Sequence, residues 1–492
     1  MDYTVSLFVF LFSFLLEITI LYLLKKNSHM SKYVAVVTVS VVMFAASSYV
    51  FLTFSTVTIF LLLVSLFRCV NLARVVFRRM HKNELTQRYK RSFVWLGLIS
   101  IAIVLFMHTE TVWISMETFL YVSFFGSLVL FVTTFISMFR WRNRHVSNSK
   151  IMQVPTVSVC IPARNETQDL PECIESILSS SYPKLEVLVL DDCSHDKTPA
   201  VIKEYAHRGV RFIKGQEPSS DWIAKNSAMN KLMQESRGEI VIFVGVDVRF
   251  SSNTVLTIIE QLEHGLLDMI SVLPQRSGKS ENSVFIQPLR YWWELSVPRL
   301  FGKRPPAIST LWAVRRKKLQ QVGGFISVKK SIRPEAHFAK RLQGAYRFVI
   351  SGSKLGVSSS KEPREQLDTA LRMRYPQARR RPESVLLLLF IELVIFGLPL
   401  IALFSGIVIG DNSLVYISGT TMAMLLIVNV YISFLTVKKT WILGLVTLPF
   451  LLFEEWYILI RSMIAYEFGS VKWKERNICL PMLQVEKELP KI

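Results

Sequence analysis

The chain has 492 residues, of which 51% are hydrophobic and only 19% charged, where a soluble domain carries about a quarter. That balance excludes a wholly soluble protein. A formal net charge of +21 would ordinarily suggest nucleic acid, but the basic residues cluster beside apolar blocks, where they mark cytoplasmic loops and anionic lipid, so no nucleic-acid partner is expected. The 5 cysteines (Cys69, Cys160, Cys173, Cys193, Cys479) show no paired spacing, which argues against a zinc site or a disulfide framework.

In chain order, residues 1–147 read as membrane with about five helices. Tyr3–Leu24, Phe93–Met107 and Ser115–Phe139 approach span length, and Tyr33–Phe67 is too long for one span and suits a tight hairpin broken near Ser47 and Ser48. Basic clusters follow the first span (Lys25, Lys26, Lys32), the hairpin (Arg68 to Arg91) and the last span (Arg140, Arg142, Arg144). Positive-inside reasoning places all three in the cytoplasm and the N-terminus outside. The first span lacks a basic leader and a small-residue cleavage site, so it is not read as a cleaved signal peptide.

Past Ser147 the composition changes, and residues 150–382 are expected to form one cytoplasmic domain. Strands are predicted at Thr156–Ile161, Leu185–Leu190, Val210–Ile213 and Glu239–Val244. Helices are predicted at Leu170–Leu178, Thr198–Ala206 and Ala224–Glu235. That alternation predicts an α/β fold with a parallel sheet and helices on both faces. Asn165, Glu166, Asp191, Asp192 and Asp247 all fall at strand ends, where open α/β sheets bind ligands.

These residues also carry a resemblance. VSVCIPARNE, VLVLDDCSHDKT, DWIAKNSAMN and EIVIFVGVDVRF, in that order, resemble the family 2 glycosyltransferases, whose fold is the inverting GT-A type. VGGF, PEAHFAKRL and WKER look like later landmarks of membrane-bound members. The resemblance implies a nucleotide-sugar donor. Asp191 and Asp192 would contact a uridine, Pro162, Arg164, Asn165 and Glu166 would form the pocket wall, and Lys225 would face the phosphates. The competing local reading makes the acids helix caps. It further implies a divalent metal, Mg²⁺ or Mn²⁺, held by Asp-x-Asp. Here the triplet is Gly245-Val246-Asp247, so one carboxylate is missing and Asp247 alone remains, with Lys225, Arg380 and Arg381 as compensating charge. The family's general base is the Asp of a Glu-Asp pair. This chain has Glu335-Ala336-His337, which leaves Glu335 and His337 as candidates.

On the acceptor side, Val284–Phe301 mixes Trp292 and Trp293 with Arg290 and Arg299, the make-up of a helix lying in the bilayer interface. Gln377 to Arg380 resembles the start of the family's Gln-x-x-Arg-Trp signature, with Arg381 in place of the tryptophan, which argues against a processive polymerase. Residues 383–470 return to the membrane through Ser384–Ile409 and Ser413–Thr436. Trp441–Ala465, interrupted by Pro449, Glu454, Glu455 and Arg461, is expected to be re-entrant or broken, with Glu454 and Glu455 paired to Arg461. The basic tail, 471–492, would then return Trp473 to the active-site side. The resulting expectation is a multi-pass cell-membrane glycosyltransferase acting on a lipid or lipid-linked acceptor. A processive synthase and a non-catalytic nucleotide- or lipid-binding relative stay open.

Overall fold

The computed structural model describes residues 116–142, 154–219, 221–278, 305–378, 380–437, 439–468, 471–474 and 476–477. The predicted spans Tyr3–Leu24, Tyr33–Phe67 and Phe93–Met107, and the segment with Trp292 and Trp293, lie outside them. The chain divides into two compact units: Met1–Phe119, Ala378–Phe390 and Met463–Gly469 in the first, and Leu120–Gln377, Ile391–Ser462 and Ser470–Ile492 in the second. Within the first, Phe119 meets Phe390 edge-on at 6.3 Å, and the Arg380 guanidinium stacks over the Tyr466 ring at 4.8 Å.

The second unit holds a seven-stranded sheet. In chain order its strands are β1 (Val157–Ala163), β2 (Leu185–Asp191), β3 (Val210–Lys214), β4 (Ile240–Val244), β6 (Met269–Leu273), β8 (Leu311–Arg315) and β9 (Tyr346–Ile350). Spatially they run β3-β2-β1-β4-β8-β6-β9, with β8 alone antiparallel to both neighbours. This is the mostly parallel GT-A-type sheet expected. Alternate residues of each strand feed opposite cores, as a two-residue period requires. Cys160, Leu188, Val241 and Phe243 pack on one face, and Val159, Ile161, Val189 and Ile242 on the other. Trp312 anchors the first core, stacked on Phe243 at 4.4 Å.

Chain order reverses across β1, which has β2 on one side and β4 on the other, both parallel to it. The carboxyl ends of β1 and β4 therefore flank a topological switch point, the place where such sheets open a crevice. A second sheet sits beside it. In it β10 (Val357–Ser359) pairs antiparallel with β5 (Val248–Phe250) and parallel with β7 (Gln275–Arg276).

The helices Leu170–Leu178 and Ala224–Glu235 have the predicted limits, while the one predicted at Thr198–Ala206 ends at Glu204 and passes into a 3₁₀ turn, Ala206–Arg208. Gly209 at φ +88° terminates that turn, a conformation glycine adopts without penalty.

Among the described residues, four helical segments are long and apolar enough to cross a membrane: Thr118–Ile136, Ser384–Ile409, Asn412–Thr436 and Trp441–Tyr466. The last corrects the expected break, because Gly444–Phe468 is one continuous helix. Pro449 lies inside it, in the second turn, and the helix runs on past it. Glu455 is also not paired as expected. It binds Arg374, whereas Arg461 lies over the Tyr457 ring.

Arg374 belongs to the helix Pro363–Gln377 and is 3% exposed. It holds Glu455 and lies 3.8 Å from Glu392, itself fully buried. Ser462 ties the same helix down, accepting from Tyr375 N at 3.0 Å and donating to Leu371 O at 2.5 Å. Charges taken out of water persist only when paired, and these are.

Candidate active site

The tips of β1, β2 and β4 lie along one sheet edge. Pro162 pairs in register with Leu190, and Ala163 with Asp191. Beyond β1 the chain turns through Asn165 at φ +51°, a left-handed conformation that asparagine tolerates better than most residues. Asn165 N donates to Ser194 Oγ at 3.1 Å, and its side-chain oxygen accepts from His195 N at 2.9 Å, lacing the β1 and β2 tips together. Arg164, 4% exposed, donates to the carbonyls of Asp192 and Cys193, each at 2.7 Å, and of Lys474 at 3.0 Å. Its guanidinium thus fastens three backbone segments and acts as a scaffold for the edge.

The acids of β2 divide their duties. Asp191 Oδ1 accepts from Ser194 N at 3.1 Å, and Asp196 Oδ1 accepts from Thr198 N at 3.0 Å at the start of the next helix. Asp191 thus braces the loop after β2 and Asp196 the first helical residue, while the N-cap position itself, Lys197, makes no side-chain capping bond. Asp192, 3% exposed, donates its backbone N–H to Ala163 O at 2.8 Å. Two strand spacings, about 10 Å, separate the β2 and β4 tips.

The C-terminal tail joins this edge. Trp473 pairs with Arg476 in a short hairpin, and Lys474 at its turn reaches Glu166 at 3.1 Å and Asn165 O at 3.3 Å. Burial pushes the Glu166 carboxyl up to about 7, against the pull of Lys474.

Past β4 lies a cavity of about 110 Å³, walled by Lys225, Asp247, Arg276, Thr310, Ser359, Lys361, Gln366 and Thr369 among others. β10 assembles it. Ser359 stands opposite Val248 on one side and Arg276 on the other, and its hydroxyl donates to Asp247 Oδ2 at 2.8 Å. Gln366 Nε2 donates to Lys361 O at 2.8 Å and fixes the next wall. Lys225 opens the helix Ala224–Glu235, whose Asn226 donates to the carbonyls of Val328 and Ser331 at 3.0 and 2.7 Å and seats it. Desolvation holds the Lys225 ammonium below its ordinary value, with Glu335 and Asp247 pulling it up and Lys361 and Arg372 pushing it down.

Glu335 is thus within electrostatic reach of the cavity, in the first turn of the helix Pro334–Arg341, 1% exposed and 3.9 Å from Arg333. Ala336 beside it is buried and carries no carboxylate. His337 packs edge-on to Phe338 and is not part of the cavity wall. Gln377 accepts from Arg374 at 2.9 Å, so it joins the buried charge cluster. Arg380 and Arg381 belong to the other compact unit. Arg276, Ser359, Lys361, Gln366 and Thr369 escaped the sequence reading, because none belongs to a recognisable motif.

The cavity offers a divalent metal a thin donor set. Asp247 supplies one carboxylate, and Ser359 already donates to its Oδ2. At Gly245 an added Cβ would meet Asp247 Oδ1 at 2.7 Å, so that carboxylate fills the space where a second ligand's side chain would start. No cluster of three His, Cys, Asp or Glu occurs among the described residues. These residues do not fit a resident cation.

Residues 158–323 match the family model described as "Glycosyl transferase family 2". The chain is 23% identical over 198 residues to the Beta-monoglucosyldiacylglycerol synthase of Trichormus variabilis, which covers 37% of this chain and 41% of that protein. It is 32% identical over 106 residues to the 4,4'-diaponeurosporenoate glycosyltransferase of Staphylococcus haemolyticus, covering 22% and 28%. The chain thus spans less than half the length of the curated relatives it matches. Among solved structures, a mannosyltransferase from Pyrobaculum calidifontis, in complex with GDP-Man and Mn²⁺, is similar at 17% identity and TM-score 0.47, covering 71% of this chain and 98% of that one.

Proposed function

Because this chain carries a family 2 glycosyltransferase domain, we propose that it transfers a sugar from a nucleoside diphosphate, UDP being the first to test, to a hydroxyl on a lipid or lipid-linked acceptor, with inversion. The observation that carries this reading is the cavity past β4, which Lys225 and Asp247 both line, about two strand spacings along the sheet edge from the β2 tip bearing Asp191. The acceptor oxygen attacks the anomeric carbon, and the bond from that carbon to the β-phosphate oxygen breaks with its electron pair staying on phosphate. The acceptor proton passes to a carboxylate, for which Glu335 is the candidate. Asp191 and Asp192 would hold the nucleoside, and Lys225 the phosphates.

A lipid-borne acceptor suits the four apolar helices and the names of the two curated relatives. The basic loops in the sequence support a domain on the cytoplasmic side of a cell membrane, with the chain crossing several times. UDP release by purified protein with native lipid extract, across a panel of sugar donors, tests the reading. Glu335→Gln should lower release at least tenfold, and undiminished transfer in that variant would overturn its role as the base. Product length separates single transfer from a processive synthase.

Ala336 favours a second reading, a relative that binds donor without transferring sugar. Donor binding without UDP release in the same assay would select it.

A further inference from the structure

The cavity's charge balance points in an unexpected direction. Its lining includes three cationic side chains, Lys225, Arg276 and Lys361, and a single carboxylate, Asp247. Arg276 is 6% exposed, in backbone register with Ser359, whose hydroxyl holds Asp247. A fourth cation stands close behind, since Arg372 donates to Thr369 of the cavity wall at 2.9 Å. Desolvation, with crowding by Lys361 and Arg372, holds the Lys225 ammonium down against the pull of Glu335 and Asp247. A divalent ion placed at Asp247 would add to this crowding, whereas a polyanion would relieve it.

We propose that the diphosphate of the donor is neutralised here by Arg276, Lys361 and Lys225 in place of a divalent metal at Asp247, so that nucleotide binding is metal-independent. The inference rests on the glycosyltransferase reading above and specifies how the same site manages its leaving group. Each phosphate brings about one negative charge. When the bond to the anomeric carbon breaks, the electron pair left on the β-phosphate oxygen adds another. Arg276, with a planar fork of donors, and the two lysines, as point charges, are suited to receive it. Gly245 is then consistent with its setting: with no metal to hold, the second carboxylate of Asp-x-Asp has no duty, and Asp247 turns over the vacant Cβ position toward Ser359.

The test is calorimetric titration of the purified full-length protein with UDP, GDP, UMP and uridine, in EDTA and then in Mn²⁺ or Mg²⁺. UDP or GDP should bind in EDTA within about threefold of its affinity with metal, and the diphosphate should exceed the monophosphate by about tenfold. Lys361→Gln and Arg276→Gln should each weaken diphosphate binding about tenfold, the loss of a charge-assisted bond, and leave uridine binding unchanged. Arg276→Lys retains the charge and should recover part of the loss, which separates recognition from misfolding. Diphosphate binding that vanishes in EDTA and returns with Mn²⁺ would overturn the proposal while leaving the glycosyltransferase reading intact. So would wild-type affinity in both Gln variants. Absence of any nucleotide binding, with or without metal, would bring down both.

Discussion

Two groups of charged side chains occupy the second compact unit, and they are built on opposite principles. Around Arg374 the charges are closed on themselves: a guanidinium 3% exposed, two buried glutamates and the Gln377 amide. Around Asp247 the cations outnumber the carboxylate, and a cavity remains between them. A buried charge that is fully paired fixes structure, and a surplus of one sign beside an open volume selects a ligand. One helix, Pro363–Gln377, serves both. Gln366 and Thr369 face the cavity from it, and Arg374, two turns on, locks it to Glu455 and Glu392.

The contrast can be broken most sharply at Arg374. Arg374→Ala strands two buried carboxylates and should destabilise the protein by about 3–5 kcal/mol, read as a lowered thermal midpoint in detergent. Adding Glu455→Leu and Glu392→Leu to Arg374→Met should restore most of it. A closed cluster with no further role predicts that recovery, and its failure would mean that the charges do more than pin the helix.

Next in size is Glu335→Gln, which should lower sugar transfer by about 10²–10⁴-fold while donor affinity stays within a few-fold, measured by UDP release against calorimetry. Equal loss of both would make Glu335 a structural partner of Lys225 and Arg333.

On the open side, Lys361→Ala should leave the thermal midpoint unchanged within about 0.5 kcal/mol, as expected where no paired partner is stranded. A large drop would show the cavity to be as closed as the Arg374 cluster.

The smallest effect concerns Glu166. Its folded carboxyl is raised to about 7, above its ordinary value of 4.5, so the folded state binds the proton more tightly than the unfolded chain. Its contribution is full below pH 4.5 and is lost as pH rises through about 7. Wild type should therefore lose thermal stability between pH 5 and 7.5 relative to Glu166→Gln, and parallel pH curves would mean that the pairing with Lys474 outweighs burial at this carboxyl.

Much of the sheet was legible in the sequence because β1, β2 and β4 are short apolar runs bounded by polar turns, and burial on both faces leaves them few alternatives. The acids at their ends were legible for the same reason. Each lies within a few residues of the strand that places it. The Arg374 cluster was visible only as isolated ionisable residues in apolar segments, and Glu455 was assigned to Arg461, its neighbour in sequence. Arg374 lies 81 residues away from Glu455, and periodicity carries no information at that range.

The sequence by itself determined the apolar segments, the α/β alternation and the local strand-end chemistry, since these depend on side chains near one another along the chain. Tertiary structure decided which groups share a cavity. The Ser359 hydroxyl meets Asp247 across 112 residues, through a three-residue strand too short to announce itself, and Arg276 and Lys361 arrive with it. Backbone pairing between distant segments chose those neighbours, so the balance of charge in the site could be read only once the strands were in place.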